Sequence, residues 1–367
     1  MELQKAYAEI DLSALSHNLN VVRKKTGDLG IIAVIKANAY GHGAVEVAGH
    51  VTKKGVSKLG VAYTNEAITL RDAGITTPIL VFFDRDHFEA CFKYDLTPTV
   101  YDLDTAKKLS AEAFRLNRQI SVHIKVDTGM GRLGFDIRKA PAEIVKIASM
   151  KNIKIEGLMS HFSEADLQDK AFADLQLKRF RSLVTDLKQK NIRFRFLHMA
   201  NSAAVLTMPE AHLNMVRPGI MLYGYGCCEK EKLRPVMSLK SRPILLKKVP
   251  AGTPISYSRT FVTKRKSTIA TIPVGYADGY NRKLSNQGEV LINGRRAPVA
   301  GRVCMDTIMV DVTDIPDVNY KTEVVLMGHQ GRERITADDI ANKTGTIPYE
   351  VLTSIGQRIK RIYRQRY

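Results

Sequence analysis

From residue 12 to about 235, short apolar runs alternate with amphipathic stretches, and this period limits the fold more than any other feature of the chain. Each apolar run is long enough for a strand buried on both faces, and each intervening stretch has the length and polarity of a helix. The repeat therefore predicts βα units around a parallel sheet. Strands are expected near 31–35, 59–62, 79–83, 96–100, 120–126, 155–160, 194–199 and 213–217. Between them lie helical patterns such as Thr64 to Ala73, opened by a threonine cap and closed by Gly74, and the long stretch Glu164 to Lys190. Eight such units predict an N-terminal (β/α)8 barrel of the TIM type, with an open doubly wound sheet as the alternative arrangement of the same pattern.

After about residue 235 the texture changes. Turn-separated runs such as Ser267 to Pro273, Glu289 to Ala300, Ile308 to Val312 and Glu323 to Met327, with Asn293-Gly294 as a hairpin signal, predict a C-terminal mainly-β domain. At 367 residues the chain exceeds what one hydrophobic core usually serves. The expected layout is a barrel over 12–235 and a β domain over 236–367, with the strand-like segment within 1–11 pairing with the latter.

Composition narrows the function classes. With 44% hydrophobic and 25% charged residues, the chain has the make-up of a soluble globular protein. Met1 to Lys5 lead into patterned sequence without a signal-peptide core, and no stretch reaches membrane-spanning length, which predicts a cytoplasmic protein with no membrane partner. Cys91, Cys227, Cys228 and Cys304 lack metal-ligand spacing and two are adjacent, as suits reduced thiols; no metal site is expected. The net charge of +19 raises the question of nucleic acid. Yet clusters such as Lys247-Lys248, Lys264-Arg265-Lys266, Arg295-Arg296 and the run Arg358 to Arg366 are not interleaved with aromatics as a stacking platform requires, so a solvated basic exterior is preferred.

In a barrel, catalytic groups sit at the C-terminal ends of the strands, and the chemically unusual residues of this chain fall there. Lys36 closes the run Ile31 to Ile35, Lys125 ends the fifth strand, His161 follows the sixth, Asn201-Ser202 follows the seventh, and Arg217-Pro218-Gly219-Ile220 ends the eighth. Alone, Lys36 reads as a strand-end lysine snorkelling to water, and a single histidine after a strand is usually structural. Five such placements on one rim define a pocket. A partly desolvated lysine has a lowered pKa and a nucleophilic amine, as a Schiff base needs. Barrels commonly hold phosphate at the loops after strands seven and eight, where Ser202 and the amides of Gly219 and Ile220 are candidate donors. A Schiff-base lysine facing a phosphate site points to pyridoxal phosphate (PLP).

The run Ala33 to Gly43, the stretch Lys125 to Gly134, the run His198 to Ala203 and the stretch Arg217 to Gly224 resemble bacterial alanine racemases. The similarity continues through Ser256-Tyr257, Gly275 to Gly279, Gly301 to Asp306 and Ile347 to Glu350, in order along nearly the whole chain. It implies a PLP barrel joined to a β domain, working as a head-to-tail homodimer that interconverts L- and D-alanine and supplies D-alanine for peptidoglycan. It further implies that Lys36 forms the Schiff base and acts as one base, while Tyr257 of the partner subunit is the other. Racemisation needs both, since one group takes the α-proton from one face and another returns it to the opposite face.

The resemblance surrounds the cofactor with Lys36, Tyr40, His161, Asn201, Ser202, Arg217, Gly219, Ile220 and Tyr349. Of these, Tyr40, Ser202, Gly219, Ile220 and Tyr349 contact the phosphate, and Arg217 faces the pyridine nitrogen, to which a guanidinium donates without giving up its proton. Arg132 would bind the substrate carboxylate, assisted by the backbone of Met305 from the partner, with Tyr276 lining the entry. Lys125 would be carboxylated, the resulting carbamate orienting Arg132; the alternative is an unmodified lysine paired with Asp127 or solvent. Ser258-Arg259 after Tyr257 and a C-terminal segment without proline depart from the family pattern. The competing readings are a racemase for serine or larger amino acids, a barrel decarboxylase, which would not need Tyr257, and a PLP-binding protein without turnover.

Overall fold

A computed structural model describes residues 6–86, 88–226 and 232–365. The segment Met1 to Lys5, Cys227, Cys228 and Arg366 lie outside the described residues. The chain forms two compact units, Ser16–Ala39 with Ala44–Leu233, and Met1–Leu15 with Tyr40–Gly43 and Arg234–Tyr367.

The first strand, β1 (Ala6–Asp11), belongs to the second of these units. The first unit is built on β2 (Gly30–Val34), β3 (Lys58–Val61), β4 (Ile79–Val81), β5 (Leu96–Val100), β6 (Ile120–Asp127), a short β7 (Phe135–Asp136), β8 (Ile153–Met159), β9 (Phe196–His198) and β10 (Met215–Val216). The order β10-β2-β3-β4-β5-β6-β8-β9 is parallel throughout, with β7 appended to β6. It comes round on itself where the Arg217 amide donates to the Ala200 carbonyl at 2.9 Å, so the sheet is a nearly closed barrel and not an open doubly wound sheet. Strands such as β3 and β4 are buried at every residue, as expected where helices cover one face and packed side chains fill the other. The helix Ala171–Gln189 shows the complementary pattern, burying Ala173, Leu177, Phe180, Leu183 and Leu187 along one stripe.

Two helix starts differ from the sequence reading. The helix Thr64–Asp72 is entered from an extended Tyr63, and the chain leading into it is held by Glu66, whose carboxylate accepts the amides of Ala62 at 2.7 Å and Tyr63 at 3.4 Å. The long helix opens at Ala171, not Glu164. The residues before it are held in a turn by the Lys170 amine, which donates to the carbonyls of Ala165 and Leu167 at 2.6 Å each.

In the second unit β1 pairs antiparallel with β11 (Met237–Ser241) and parallel with the chain's last strand, Lys360–Arg364. A three-stranded antiparallel sheet joins Leu245–Val249, Ser267–Ile272 and Ile308–Asp311. Glu289–Ile292 and Arg295–Pro298 form the hairpin signalled by Asn293-Gly294, whose φ values of 51° and 72° suit a turn with both central residues left-handed. Among the described residues no helix is long and apolar enough to cross a membrane.

Candidate active site

Lys36 follows β2 and opens a short left-handed turn. Ala37, Asn38, Ala39 and Tyr40 all have φ between 52° and 54°. Side-chain-bearing residues pay about 1–2 kcal/mol each for this conformation, so a run of them persists only where surroundings enforce it. Three hydrogen bonds do so: Ala39 N–H to Ile35 O at 2.8 Å, Ala37 N–H to Glu66 Oε1 at 2.6 Å, and Ala44 N–H to Asn38 Oδ1 at 2.8 Å. The Lys36 amine lies 5.5 Å from the centre of the Phe83 ring. Burial and then the nearby Arg132 charge lower its pKa, with Glu66 opposing. The neutral, nucleophilic amine is thereby more accessible than on a solvated lysine.

Arg217, at the end of β10, is almost wholly buried and its terminal hydrogens are committed. Nη1 donates to the His198 carbonyl and to His198 Nδ1, each at 2.7 Å. Nη2 donates to the Ser160 and Met199 carbonyls at 2.6 and 3.0 Å and meets His161 Nδ1 at 3.2 Å. Of the five guanidinium N–H donors, this leaves Nε–H for a ligand. Burial, and secondarily Arg132, pull the Arg217 pKa down to about 9. Burial followed by the Arg217 charge holds His161 well below its ordinary pKa, so its ring is neutral and its Nδ1 accepts from Arg217.

Lys125 lies within β6, two residues before its end, and is buried. Asp127 is occupied elsewhere, its two oxygens accepting the amides of Gly129, Met130 and Gly131 at 2.8–2.9 Å, and among the described residues it forms no ion pair with Lys125. Burial first, then Arg217 and Arg132, bring the Lys125 pKa down to about 7. Arg132 is exposed, its guanidinium 5.7 Å from the Phe83 ring centre.

On the loops after β9 and β10, Ser202 Oγ accepts the amides of Gly219 at 2.9 Å and Met221 at 3.3 Å. The Gly219 amide, expected from sequence as a phosphate donor, is thus engaged by Ser202, whose own O–H is left to donate. Ile220 opens a 3-10 turn, where first-turn amides lack intrahelical partners. Asn201 caps the helix Ser202–Thr207 by accepting the Ala204 amide at 3.0 Å.

The remaining candidates belong to the other unit. Tyr40 is buried, 5.9 Å from the Tyr349 ring, and burial keeps its hydroxyl protonated and able to donate. Tyr257, 68% exposed, sits among left-handed residues Ser256, Ser258 and Arg259, with φ of 66°, 60° and 51°. Ser256 is held by its hydroxyl, which donates to the Arg302 carbonyl at 2.7 Å. Tyr276 and Met305 are exposed on adjoining loops: the Tyr276 and Ala277 amides donate to the carbonyls of Cys304 and Met305 at 3.0 Å. A Cβ on Gly275 would lie 2.2 Å from the Met305 oxygen, so only glycine allows this approach. Arg358 ties the same loops together through Asp306 at 2.8 Å and Asp278 at 3.4 Å.

Sequence reading missed Glu66, whose signal was an acidic residue in the first turn of the helix after β3. It also missed the series of the buried His198 and His123 and the part-buried Glu156, which has no motif because its members come from three strands.

Two amines, two guanidiniums and a neutral imidazole on the C-terminal side of a (β/α)8 barrel, in a chain that also carries a strand-rich unit, define a class of barrel protein suited to an anionic ligand. The family models "Alanine racemase, N-terminal domain" and "Alanine racemase, C-terminal domain" match residues 10–226 and 236–363. An alanine racemase of Halothermothrix orenii is 48% identical over 98% of this chain and 97% of its own length. The solved alanine racemase of Clostridium difficile 630 superposes with a TM-score of 0.95 at 40% identity, covering 100% of this chain and 97% of the other. That of Bartonella henselae, described with covalently bound pyridoxal phosphate, gives 0.89 at 30% identity, covering 99% of this chain and 100% of the other. The chain belongs to the alanine racemase family.

Proposed function

We infer that the chain interconverts L- and D-alanine with pyridoxal 5′-phosphate, as a cytoplasmic homodimer with shared sites, providing D-alanine for cell-wall synthesis. The observation that carries this reading is the group of cations at the barrel's rim. Arg132 acts electrostatically on each of Lys36, Lys125 and Arg217, and none of the four has a carboxylate ion-pair partner among the described residues. Such an arrangement fits an anionic cofactor and an anionic substrate, and the lowered pKa of Lys36 fits attachment to an aldehyde. Bound PLP supplies an electron sink for the carbanion left when the α-proton departs.

The protein's own groups do the rest. Lys36 would hold the cofactor and exchange a proton with the α-carbon on one face, and Tyr257 of the partner subunit would do so on the other. Arg217 would offer its remaining N–H to the ring nitrogen while staying protonated, which would limit the sink and keep the chemistry to proton transfer. The neutral His161 presents an Nε2–H donor beside it. Ser202 and Ile220 would hold the phosphate, and Arg132 would bind the carboxylate through two parallel hydrogen bonds. Lys125 would carry a carbamate: a pKa of about 7 supplies the neutral amine, whose nitrogen bonds to the carbon of carbon dioxide as one N–H proton leaves to water, and the resulting anion reverses the repulsion from Arg217 and Arg132. The unpaired thiols of Cys91 and Cys304 are consistent with a reducing compartment.

The test is an absorption spectrum of the purified protein followed by incubation with L-alanine and chiral separation. A bound chromophore and a mixture tending to equal amounts of both enantiomers are expected. Alanine that stays L in the presence of added PLP would refute the activity.

A further inference from the structure

Beneath Arg217 the barrel interior carries a line of buried polar groups toward the opposite end of the strands. His198 Nε2 lies 2.7 Å from His123 Nδ1, and His123 Nε2 lies 3.5 Å from Glu156 Oε2. Glu156 in turn meets the Lys58 amine at 3.0 Å and the Arg195 guanidinium at 3.6 Å. The backbone is shaped for this line. β6 and β8 shift register here, Val122 pairing with Ile155 and His123 with Gly157, so that Glu156 is the extra residue of a bulge, a device that re-aims a side chain. A Cβ on Gly157 would lie 2.5 Å from His123 Nδ1.

Hydrogen-bond chemistry gives the line one direction. Arginine only donates, so His198 Nδ1, which receives Arg217 Nη1, is unprotonated and Nε2 carries the proton. That N–H donates to His123 Nδ1, which places the second proton on His123 Nε2, facing the Glu156 carboxylate. A charge on either imidazole would set two donors against each other. Burial, the leading cause for both rings, holds their pKa values down and keeps them neutral. His123 Nε2 has no hydrogen-bond partner among the described residues and acts on the Glu156 carboxylate across 3.5 Å through the partial charge of its N–H alone; together with the Lys58 bond this holds Glu156 ionised, with a pKa of about 2.

We propose that Glu156 and His123 are positioning residues for the racemase: acting through His198, they stabilise the buried Arg217 as an oriented cation, so that it donates to the cofactor's ring nitrogen without transferring its proton. The proposal rests on the alanine racemase reading above. No proton moves along the line. Two neutral imidazoles with aligned dipoles connect a guanidinium at the rim to a carboxylate near the start of the strands, where Lys58, Glu156 and Arg195 line a cavity of about 490 Å³. The Glu156 end therefore reaches solvent while the Arg217 end does not.

The experiment is NMR on the full-length protein as purified, which needs no turnover and so fails independently of the catalytic reading. With ¹⁵N-labelled histidine, His198 and His123 should both show the neutral Nε2–H form with unprotonated Nδ1 between about pH 6 and 9. An imidazolium or an Nδ1–H form at either position overturns the directed line. With ¹³C-labelled arginine, Glu156→Gln, which keeps shape and an acceptor but removes the charge, should lower the pH at which Arg217 deprotonates by about one unit. The other charges facing the line (Lys58, Arg195, Lys125, Arg132) and the neutral His161 are unchanged in that variant. A displacement below about 0.2 unit overturns the electrostatic role, and the wild-type tautomers decide the line's direction even if the variant does not fold.

Discussion

Apart from the buried Tyr40 of the strand-rich unit and the exposed Arg132 of the barrel, the two units treat several of their candidate site residues in opposite ways. In the barrel, Arg217, Lys125 and Ser202 are 3–5% exposed, and Arg217 and Ser202 are held by bonds to the carbonyls, rings and amides around them. In the strand-rich unit, Tyr257, Met305, Tyr276 and Tyr349 are 42–68% exposed, large apolar groups left in solvent. Charged groups that are costly to bury are inside, while groups that gain from burial are outside. The barrel is the rigid half of the chain and the strand-rich unit the solvent-facing half; exposed aromatics of this kind are what a surface that meets a second copy requires, because each then finds its cover in association.

The largest effect should come from removing one base from each half. Lys36→Ala and Tyr257→Ala homodimers should each lose activity by a factor on the order of 10³ or more, given that single acid–base groups contribute about 10²–10⁴ and that Lys36 is also proposed to hold the cofactor. Mixing the two variants sharpens the comparison. With random subunit exchange, about half the dimers are mixed and each has one intact site of two, so activity should return to about a quarter of wild type. No recovery, with exchange verified by an independent label, would place both bases in one chain.

Next in size is Lys125. Lys125→Ala should reduce kcat/KM roughly 10²-fold, as expected for loss of an oriented substrate-binding contact, and small carboxylates should restore part of it. Its pKa also makes a stability statement. The folded value of about 7 lies below the unfolded value of about 10.4, so between them the unfolded chain binds more protons and stability rises with pH. In carbon-dioxide-free buffer, denaturant unfolding should thus show a penalty that is full below about pH 7 and gone above about 10.4, and Lys125→Met should remove it. Equal pH dependence in both proteins would mean the lysine does not titrate in this way.

Much of this was legible in the chain, for a physical reason. The 2.0 and 3.6 periodicities are set by burial on each element, so strands such as β5 and β6 and the Asn293-Gly294 hairpin could be located from the sequence. Lys36, His161, Ser202 and Arg217 were legible because the barrel puts strand ends together whatever the loops do. The left-handed run Ala37 to Tyr40 was not, since alanine and tyrosine have no propensity for it and tertiary bonds impose it. Glu66 and Glu156 were hidden for the same reason: their partners lie 29 and 33 residues away, Ala37 for one and His123 for the other.

Glu66 accordingly offers a smaller, more local test of the rigid half. Glu66→Gln keeps one acceptor but loses the charge that opposes the lowering of the Lys36 pKa, and must give up one of the amides of Ala37 and Ala62. The expected result is a fall of about tenfold in kcat/KM, the scale of losing roughly one charge-assisted hydrogen bond. The pH midpoint for labelling Lys36 with a trace amine reagent should also move down. An unchanged midpoint would leave Glu66 as a helix cap and nothing more.

The smallest effect, on stability, contrasts the halves most directly. Arg217→Ala would leave the carbonyls of Ser160, His198 and Met199 without their donor in a buried site, a lesion of several kcal/mol. Tyr257→Phe removes a hydroxyl from a side chain that is mostly in solvent and keeps the ring that a partner would cover. Surface changes of this kind stay within about 0.5 kcal/mol, which for a unit of this size displaces Tm by less than about 2 °C. Activity should nevertheless collapse in Tyr257→Phe, because phenylalanine carries no proton to exchange. A scanning-calorimetry Tm within that margin, beside a racemisation rate reduced by orders of magnitude, is the outcome expected of a catalytic group borne on a surface loop. A large drop in Tm would instead show that the hydroxyl is structural, and that the exposed half is held together by contacts a single chain does not reveal.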